Sequence, residues 1–530
     1  MKKIISSLLV VVMLCGLLTG CGEKKVEQVE GGKLTVGMPQ NVGISDYEEN
    51  AFTKYLEENT GVKIDFTFFS NSASEYRQQL ALMASSGEEF PDVLTGFWNL
   101  GTNVANAYGI DGYFLDLTDL IKQYGDSYQA AYKKQTDKMQ KMITQKITEP
   151  DSGKIYGLPY VQRVTVDNVQ SQTYINQKWL DAVGMQAPTT IEELYNVLKA
   201  FKTQDPNGNG EADEIPMLGG NQIINYVINA FIYYQQAHAY NEEDGQVYAP
   251  YITDEYKQAM IWLNKLCVEG LYSDLSLTAT KQDLKTLYTP ATGVARVGII
   301  CGHPSTYTNT LSPVLDEYVA IGPLADETGK GGHYVVSYDT VKLSSFITKD
   351  CENTALAMQF LDFFYEDETV TRMRRGEKDV DWEVNPGVCI EGVEVPNRTL
   401  KGTAFFEGAQ TWGLMVSGMV TLDNFSVAME TTDPGETRVS RLLEGIYKIM
   451  QKHETKENKV GNLDYTQSEY EVKEQYESNI NNFVAEQQKL FIKGTKNLTS
   501  DWDAYVKQIN DLNLKAVLEI KQSAFDRANK

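Results

Sequence analysis

Between Gln204 and Pro216 the chain reads QDPNGNGEADEIP, with side-chain oxygens on alternate residues at Asp205, Asn207 and Asn209 and a glycine at Gly210. Oxygen donors at the first, third and fifth places, followed by glycine at the sixth, suit a calcium loop. The ion takes about six to eight hard oxygen ligands from a segment that must turn sharply. Glu211 would supply its backbone carbonyl, and Asp213 and Glu214 would complete the shell of a structural Ca2+. The twelfth position, where an EF-hand carries its bidentate glutamate, is Pro216, so that ligand has to come from Asp213 or Glu214. The competing reading is an Asn-Gly-rich surface turn between helices.

Other reactive chemistry is thin. The four His residues (His238, His303, His333 and His453) are far apart in sequence, which disfavours a multi-His metal centre. No Gly-x-Ser-x-Gly elbow, HExxH helix or P-loop occurs. Glycoside hydrolysis needs two carboxylates at a fixed separation, but among 72 acidic residues any pair can be imagined, so the composition carries no signal for it. Lys and Arg total 48, leaving a formal charge of −24, which argues against nucleic acid and against electrostatic docking on an anionic membrane. Once Cys15 and Cys21 are set aside, Cys267, Cys301, Cys351 and Cys389 match no zinc or redox spacing; they read as isolated thiols or a disulfide in an exported chain.

The elements that must position these residues begin after a leader. Met1-Lys2-Lys3 followed by an apolar run through Leu17 reads as a signal peptide over 1–20, too short for a spanning helix. It ends in Leu18-Thr19-Gly20-Cys21, which resembles the bacterial lipobox, with lipid on the Cys21 sulfur. Residues 21–32 read as a charged, glycine-ended tether and 33–530 as the folded part. Lys33–Met38 reads as a strand, Tyr47–Asn59 as a helix and Val62–Phe69 as a strand, together a βαβ unit. A helix over Ser74–Ser85 and a buried strand at Pro91–Leu94 follow. Strands and helices alternate to about residue 365, where Asn353 would cap a helix. Beyond that the chain reads as helical, with Val472, Tyr476, Ile480, Phe483 and Val484 in phase and Ser500–Asp503 as a capping box.

Several segments together resemble a known group. The lipobox, the βαβ start, Pro91-Asp92-Val93, Gly153–Tyr160, Tyr174–Leu180, Pro188–Leu194, the calcium-like loop and Ser500–Val506 recur in the same order in family 1 extracellular solute-binding lipoproteins of ABC carbohydrate transporters, of the LplA and alginate-binding type. The resemblance covers the whole mature chain. It implies an α/β, two-lobed periplasmic-binding-protein-like fold (type II-like) with a helix-rich C-terminal part. It also implies a monomer lipid-anchored on the extracellular face of the membrane, capturing an oligosaccharide between its lobes for the permease subunits of an ABC importer. The lobes would be intertwined: approximately 33–160 plus a return near 300–370, and approximately 161–300 plus most of 371–530. The calcium site would be structural.

Sugar clefts bind through aromatic faces stacked on the apolar faces of sugar rings, with carboxylates and amides on the hydroxyls. Trp179, Trp262 and Trp502 lie in helical patterns and read as core. Trp98 follows a strand within a polar, Gly-containing loop, where open α/β sheets place ligands. Tyr160 resembles the family's lobe-crossing segment. Trp382 and Trp412 sit in loop-like stretches, Asp92 and Glu407 are candidates for hydroxyl contacts, and Tyr307 and Tyr338 are weaker ones. Rival readings are a solute-binding protein for a peptide or polyamine, a surface-anchored glycoside hydrolase and a wall-associated adhesin; the lack of repeats disfavours the last.

Overall fold

A computed structural model describes residues 31–529, leaving out 42, 45, 163–168, 170, 236–239, 327, 330, 333, 337–339, 391–392, 401–410, 413–415, 422–433, 454, 458–459 and 461–462; of 374–375, 382–390, 393–400, 436 and 455–457 it describes the backbone alone. The leader, Cys21, Glu407 and Tyr338 lie outside the described residues.

The amino-terminal βαβ unit forms as its pattern predicts. Lys33–Pro39 and Lys63–Phe69 pair in parallel, Lys33 opposite Lys63 through Pro39 opposite Phe69. The helix between them is Ala51–Thr60, beginning four residues later than the apolar spacing indicates. The reason is local: Asn50 is extended and its side chain accepts the Phe52 N–H at 3.0 Å, so the cap sets the start. Val93–Leu94 adds in parallel on the other side of Lys33–Pro39, Val341–Ile347 runs antiparallel to it, and Leu158–Val161 and Gly418–Met419 complete a six-stranded sheet.

A second, four-stranded sheet has the order Tyr318–Ala320, Thr173–Asn176, Val297–Cys301, Ile215–Met217. Each sheet anchors its own apolar core. The first core runs from Leu34 to Val161 and takes in Val341 to Met373 and Trp412 to Met419. The second runs from Val169 to Tyr334 and from Leu442 to Phe525. The return expected near 300–370 therefore joins the first core from Val341 on. Cys301 to Tyr334 stays with the second core, because Val297–Cys301 and Tyr318–Ala320 flank Thr173–Asn176 in one sheet.

The carboxyl-terminal part is helical as its periodicity predicts, with Gln467–Ile492, Trp502–Asp511 and Leu514–Ala528. Asn353 caps Thr354–Asp362 through the Leu356 N–H. The capping box expected at Ser500–Asp503 does not form. Asp501 is helical rather than extended, makes no cap bond and accepts from the Asn497 N–H at 2.8 Å instead. A capping box does open Gln467–Ile492, where Thr466 and Glu469 exchange bonds. Trp179 and Trp502 are buried in the second core and Trp262 packs against it. Cys267, Cys301 and Cys351 are free thiols, and burial pushes Cys301 and Cys351 up to about 12. Among the described residues no helix is long and apolar enough to cross a membrane.

Candidate functional site

Strand direction decides which loops meet. Lys33–Pro39, Lys63–Phe69 and Val93–Leu94 are parallel, so their carboxyl ends share one edge. Val341–Ile347 starts at that edge, since Phe346 lies opposite Leu94, and Leu158–Val161 ends there, with Val161 opposite Val341. The chain leaves for the second sheet from Val161 and returns at Val341. In the second sheet, Ile215–Met217 and Val297–Cys301 are parallel and end beside Thr173, the first residue after the crossing. Both sheets thus turn the carboxyl ends of their parallel strands toward the crossings, which is where open α/β sheets bind ligands.

Trp98 stands at this junction, in the loop after Val93–Leu94, and its side chain is half-buried. The Phe97 N–H donates to the Ser344 carbonyl at 3.1 Å, which fixes the loop against the central strand. Lys342 Nζ lies 4.7 Å from the centroid of the Trp98 ring, within cation–π range. Tyr160 is directly opposite Lys342 in the antiparallel register, so the two side chains share a face. Tyr160 is only 3% exposed and belongs to the first core. Trp98, Lys342 and Tyr160 are therefore neighbours; Lys342 was missed in sequence because a lysine in an apolar strand carries no motif.

Asp92 and Trp412 are not brought to this edge. Asp92 sits at the amino end of Val93–Leu94, where its carboxylate accepts from the Thr35 N–H at 2.8 Å and the Thr35 hydroxyl at 2.7 Å. Trp412 is 0% exposed in the first core. Its Nε1–H donates to Thr53 Oγ1 at 2.8 Å, and its ring meets Phe52 and Phe66 edge-on at 5.4 and 5.7 Å. Trp382 begins a strand, Trp382–Ile390, paired with Val393–Leu400, rather than lying in a loop. Glu407 is outside the described residues.

The oxygen-rich loop joins the helix Ile191–Thr203 to the strand Ile215–Met217, at the amino end of the second sheet and away from the crossings. Its side-chain oxygens turn inward onto loop N–H groups. Asp205 accepts from Asn209 and Gly210 at 3.2 and 3.0 Å, Asn207 from Asn209 at 3.0 Å, and Asn209 from Glu211 at 2.7 Å. Asp205 takes a positive φ of 45° to close the turn. Asp213 accepts from the Asn207 and Asn209 amides at 3.1 Å each and pairs with Arg296 at 2.9 Å. Burial alone would raise its carboxyl; the Asn209, Asn207 and Arg296 bonds hold it below the ordinary value. Glu214 Oε1 is buried without a partner, and burial followed by the charges of Asp205 and Asp213 pushes that carboxyl up. An orphaned, mutually repelling carboxylate in an oxygen-lined turn fits a dication. Among the described residues, no three His, Cys, Asp or Glu side chains already converge as a metal-holding group.

The chain is 26% identical over 512 residues to the fructooligosaccharide ABC transporter substrate-binding protein FusA of Streptococcus pneumoniae serotype 4, covering 92% of this chain and 88% of that one. It is 25% identical over 403 residues to lipoprotein LipO of Bacillus subtilis, covering 72% and 74%. Among solved structures, the HMO binding ABC-transporter associated solute binding protein of Bifidobacterium longum infantis superposes with a TM-score of 0.76 at 22% identity, covering 94% of this chain and 99% of that one. An EF-hand mutant of S. pneumoniae FusA in complex with fructo-nystose gives 0.73 at 22% identity, covering 94% and 100%. The alginate-binding protein AlgQ2 without calcium ion gives 0.64 at 20%, covering 95% and 100%. The shared fold is the two-lobed α/β fold of solute-binding proteins. The family model for bacterial extracellular solute-binding proteins matches residues 42–371, well over half the chain and both sides of the first two crossings. The chain belongs to the bacterial extracellular solute-binding protein family.

Proposed function

We propose that this protein captures an oligosaccharide where the carboxyl edges of its two sheets meet, and delivers it intact to the permease subunits of an ABC importer. The observation that carries the reading is Trp98, a half-buried indole on a loop at the carboxyl edge of the first sheet, beside the crossings. An indole face at such a place supplies the large apolar contact that a sugar ring lacks elsewhere, and Lys342 and Tyr160 stand next to it. The description of FusA as a fructooligosaccharide-binding protein over nearly the whole length supports the ligand class. The two lobes correspond to the two apolar cores and close on the ligand by moving about the crossings. The protein works as a monomer held to the outer face of the membrane by lipid on Cys21, and it is not an enzyme.

The second lobe carries a structural calcium ion held by Asp205, Asn207, Asn209, the Glu211 carbonyl, Asp213 and Glu214. Its role is to neutralise the clustered carboxylates and brace the turn between a core helix and a core strand. The solved EF-hand mutant of the relative FusA supports the assignment.

A thermal-shift panel in calcium tests the reading, using neutral and acidic oligosaccharides of several linkages beside peptides and polyamines. A ligand present at about 100 times its Kd, binding only the folded state, stabilises it by about 2.7 kcal/mol. A shift with one glycan class is expected; a shift with peptides or polyamines alone would overturn the ligand class.

A further inference from the structure

We infer that Gln222 and Tyr307 form the second-lobe half of the ligand site, with the Gln222 amide bonding a sugar hydroxyl and the Tyr307 ring covering an apolar sugar face. The inference rests on the oligosaccharide reading above; it adds Gln222, which carries no motif in the sequence, and sets it beside Tyr307, a weaker candidate there. Both stand at the carboxyl ends of the parallel strands Ile215–Met217 and Val297–Cys301, the edge of the second sheet that faces the crossings.

Gln222 lies in the first turn of the helix Gly220–Ile228 and is half-buried, and its backbone carbonyl accepts from the Ser171 hydroxyl at 3.0 Å, two residues before the strand Thr173–Asn176. Its side-chain Oε1 is buried and has no hydrogen-bond partner among the described residues. A buried acceptor with no donor is where an incoming hydroxyl has most to add, because nothing has to be given up to make the bond.

Tyr307 closes the short helix Pro304–Tyr307 and is half-buried. Its ring lies directly on the backbone of Gly302. A Cβ built there would come within 2.5 Å of the ring and 3.0 Å of Gln222 Oε1. Gly302 also has a φ of +117°, open to glycine and strained for other residues. One glycine therefore leaves room for the amide and the ring side by side, an acceptor next to an apolar face, which is the pairing a sugar ring presents in complement.

The test uses the full mature protein in calcium, titrated calorimetrically with tri- to pentasaccharides of glucose, fructose, galactose and mannose. Gln222→Ala and Tyr307→Leu are each expected to weaken the Kd of whichever sugar binds by at least about fivefold, while Tyr307→Phe keeps most of the affinity. Because the Gln222 side chain has no hydrogen bond among the described residues, the unliganded melt of Gln222→Ala is expected to match the wild type. If the wild type binds a sugar and both truncations bind it within about twofold of wild type, this half-site is wrong while the oligosaccharide reading stands. If the wild type binds no sugar in the panel, the oligosaccharide reading fails and this inference fails with it.

Discussion

Replacing Glu214 by Gln should reverse its effect on stability with calcium. Without metal, Glu214 is a partly buried carboxylate whose Oε1 is unpartnered, repelled by Asp205 and Asp213. Glutamine keeps the shape and removes the charge, so in chelator the variant is more stable than the wild type. The group is partly exposed and screened by solvent, which limits the gain to a few tenths of a kcal/mol. With metal, the same residue supplies one of three carboxylates. Extracellular calcium loops bind with Kd values of about 10⁻⁴ to 10⁻³ M, so 10 mM calcium is at least about 10-fold above Kd and stabilises the wild type by about 1.4 kcal/mol or more. Loss of one of three ligand charges weakens binding by at least about tenfold, or about 1.4 kcal/mol. The variant therefore crosses from slightly more stable to clearly less stable, a swing of about 1–1.4 kcal/mol. Urea unfolding followed by tryptophan fluorescence, in about 10 mM calcium and in about 1 mM chelator, reads both signs in one series. Glu211→Ala is the control, because Glu211 contributes only its carbonyl. An equal offset between Glu214→Gln and wild type in the two buffers would refute the metal assignment and leave the segment an ordinary turn.

Three further outcomes follow from the geometry. Trp98→Ala weakens glycan binding by at least about 1 kcal/mol, measured by titration calorimetry, with little change in the unliganded melt. Trp412→Ala does the opposite: it empties an indole-sized space in the first core, removes the donor to Thr53 Oγ1 and costs about 3–5 kcal/mol in denaturant unfolding, yet the folded fraction binds ligand with unchanged Kd. Asp362 is a pH-dependent strain on the first core. Burial pushes its carboxyl up to about 6 although the Tyr128 and Ser127 N–H groups donate to it. A raised value means that the folded state holds the proton more tightly, so this contribution is complete below the ordinary value of 3.8 and is lost as pH rises through about 6. Asp362→Asn, which cannot ionise, gains on the wild type by about 2–3 kcal/mol between pH 4 and pH 7 in unfolding titrations; parallel pH profiles would contradict this.

Regular periodicity and end signals were legible in the sequence. The βαβ start, the helix after Asn353 and the long helix around Ile480 could be read from one-sided apolar spacing, because burial of that side is what makes them form. The false capping box shows the limit: serine and aspartate at the right spacing cap only if the backbone is extended, and Asp501 is not. The two Trp candidates diverged for a tertiary reason. Trp98 and Trp412 lie in equally loop-like sequence, but the loop after Leu94 is held at a sheet edge by Ser344. The segment around Trp412 instead returns to fill the gap between Phe52, Phe66 and Phe364, the first two of them more than 300 residues away in sequence. Gln222 had no sequence signal at all, since what marks it is a missing hydrogen bond.

The most direct test of the central claim is one calorimetric titration of the mature protein in calcium with the glycan that shifts its melt, followed by recovery of that glycan. Saturable binding at one glycan per chain is predicted, with a Kd near or below the micromolar range, a negative heat-capacity change from apolar burial, and a ligand recovered intact. Absence of binding to every oligosaccharide, or recovery of a cleaved product, would contradict the account.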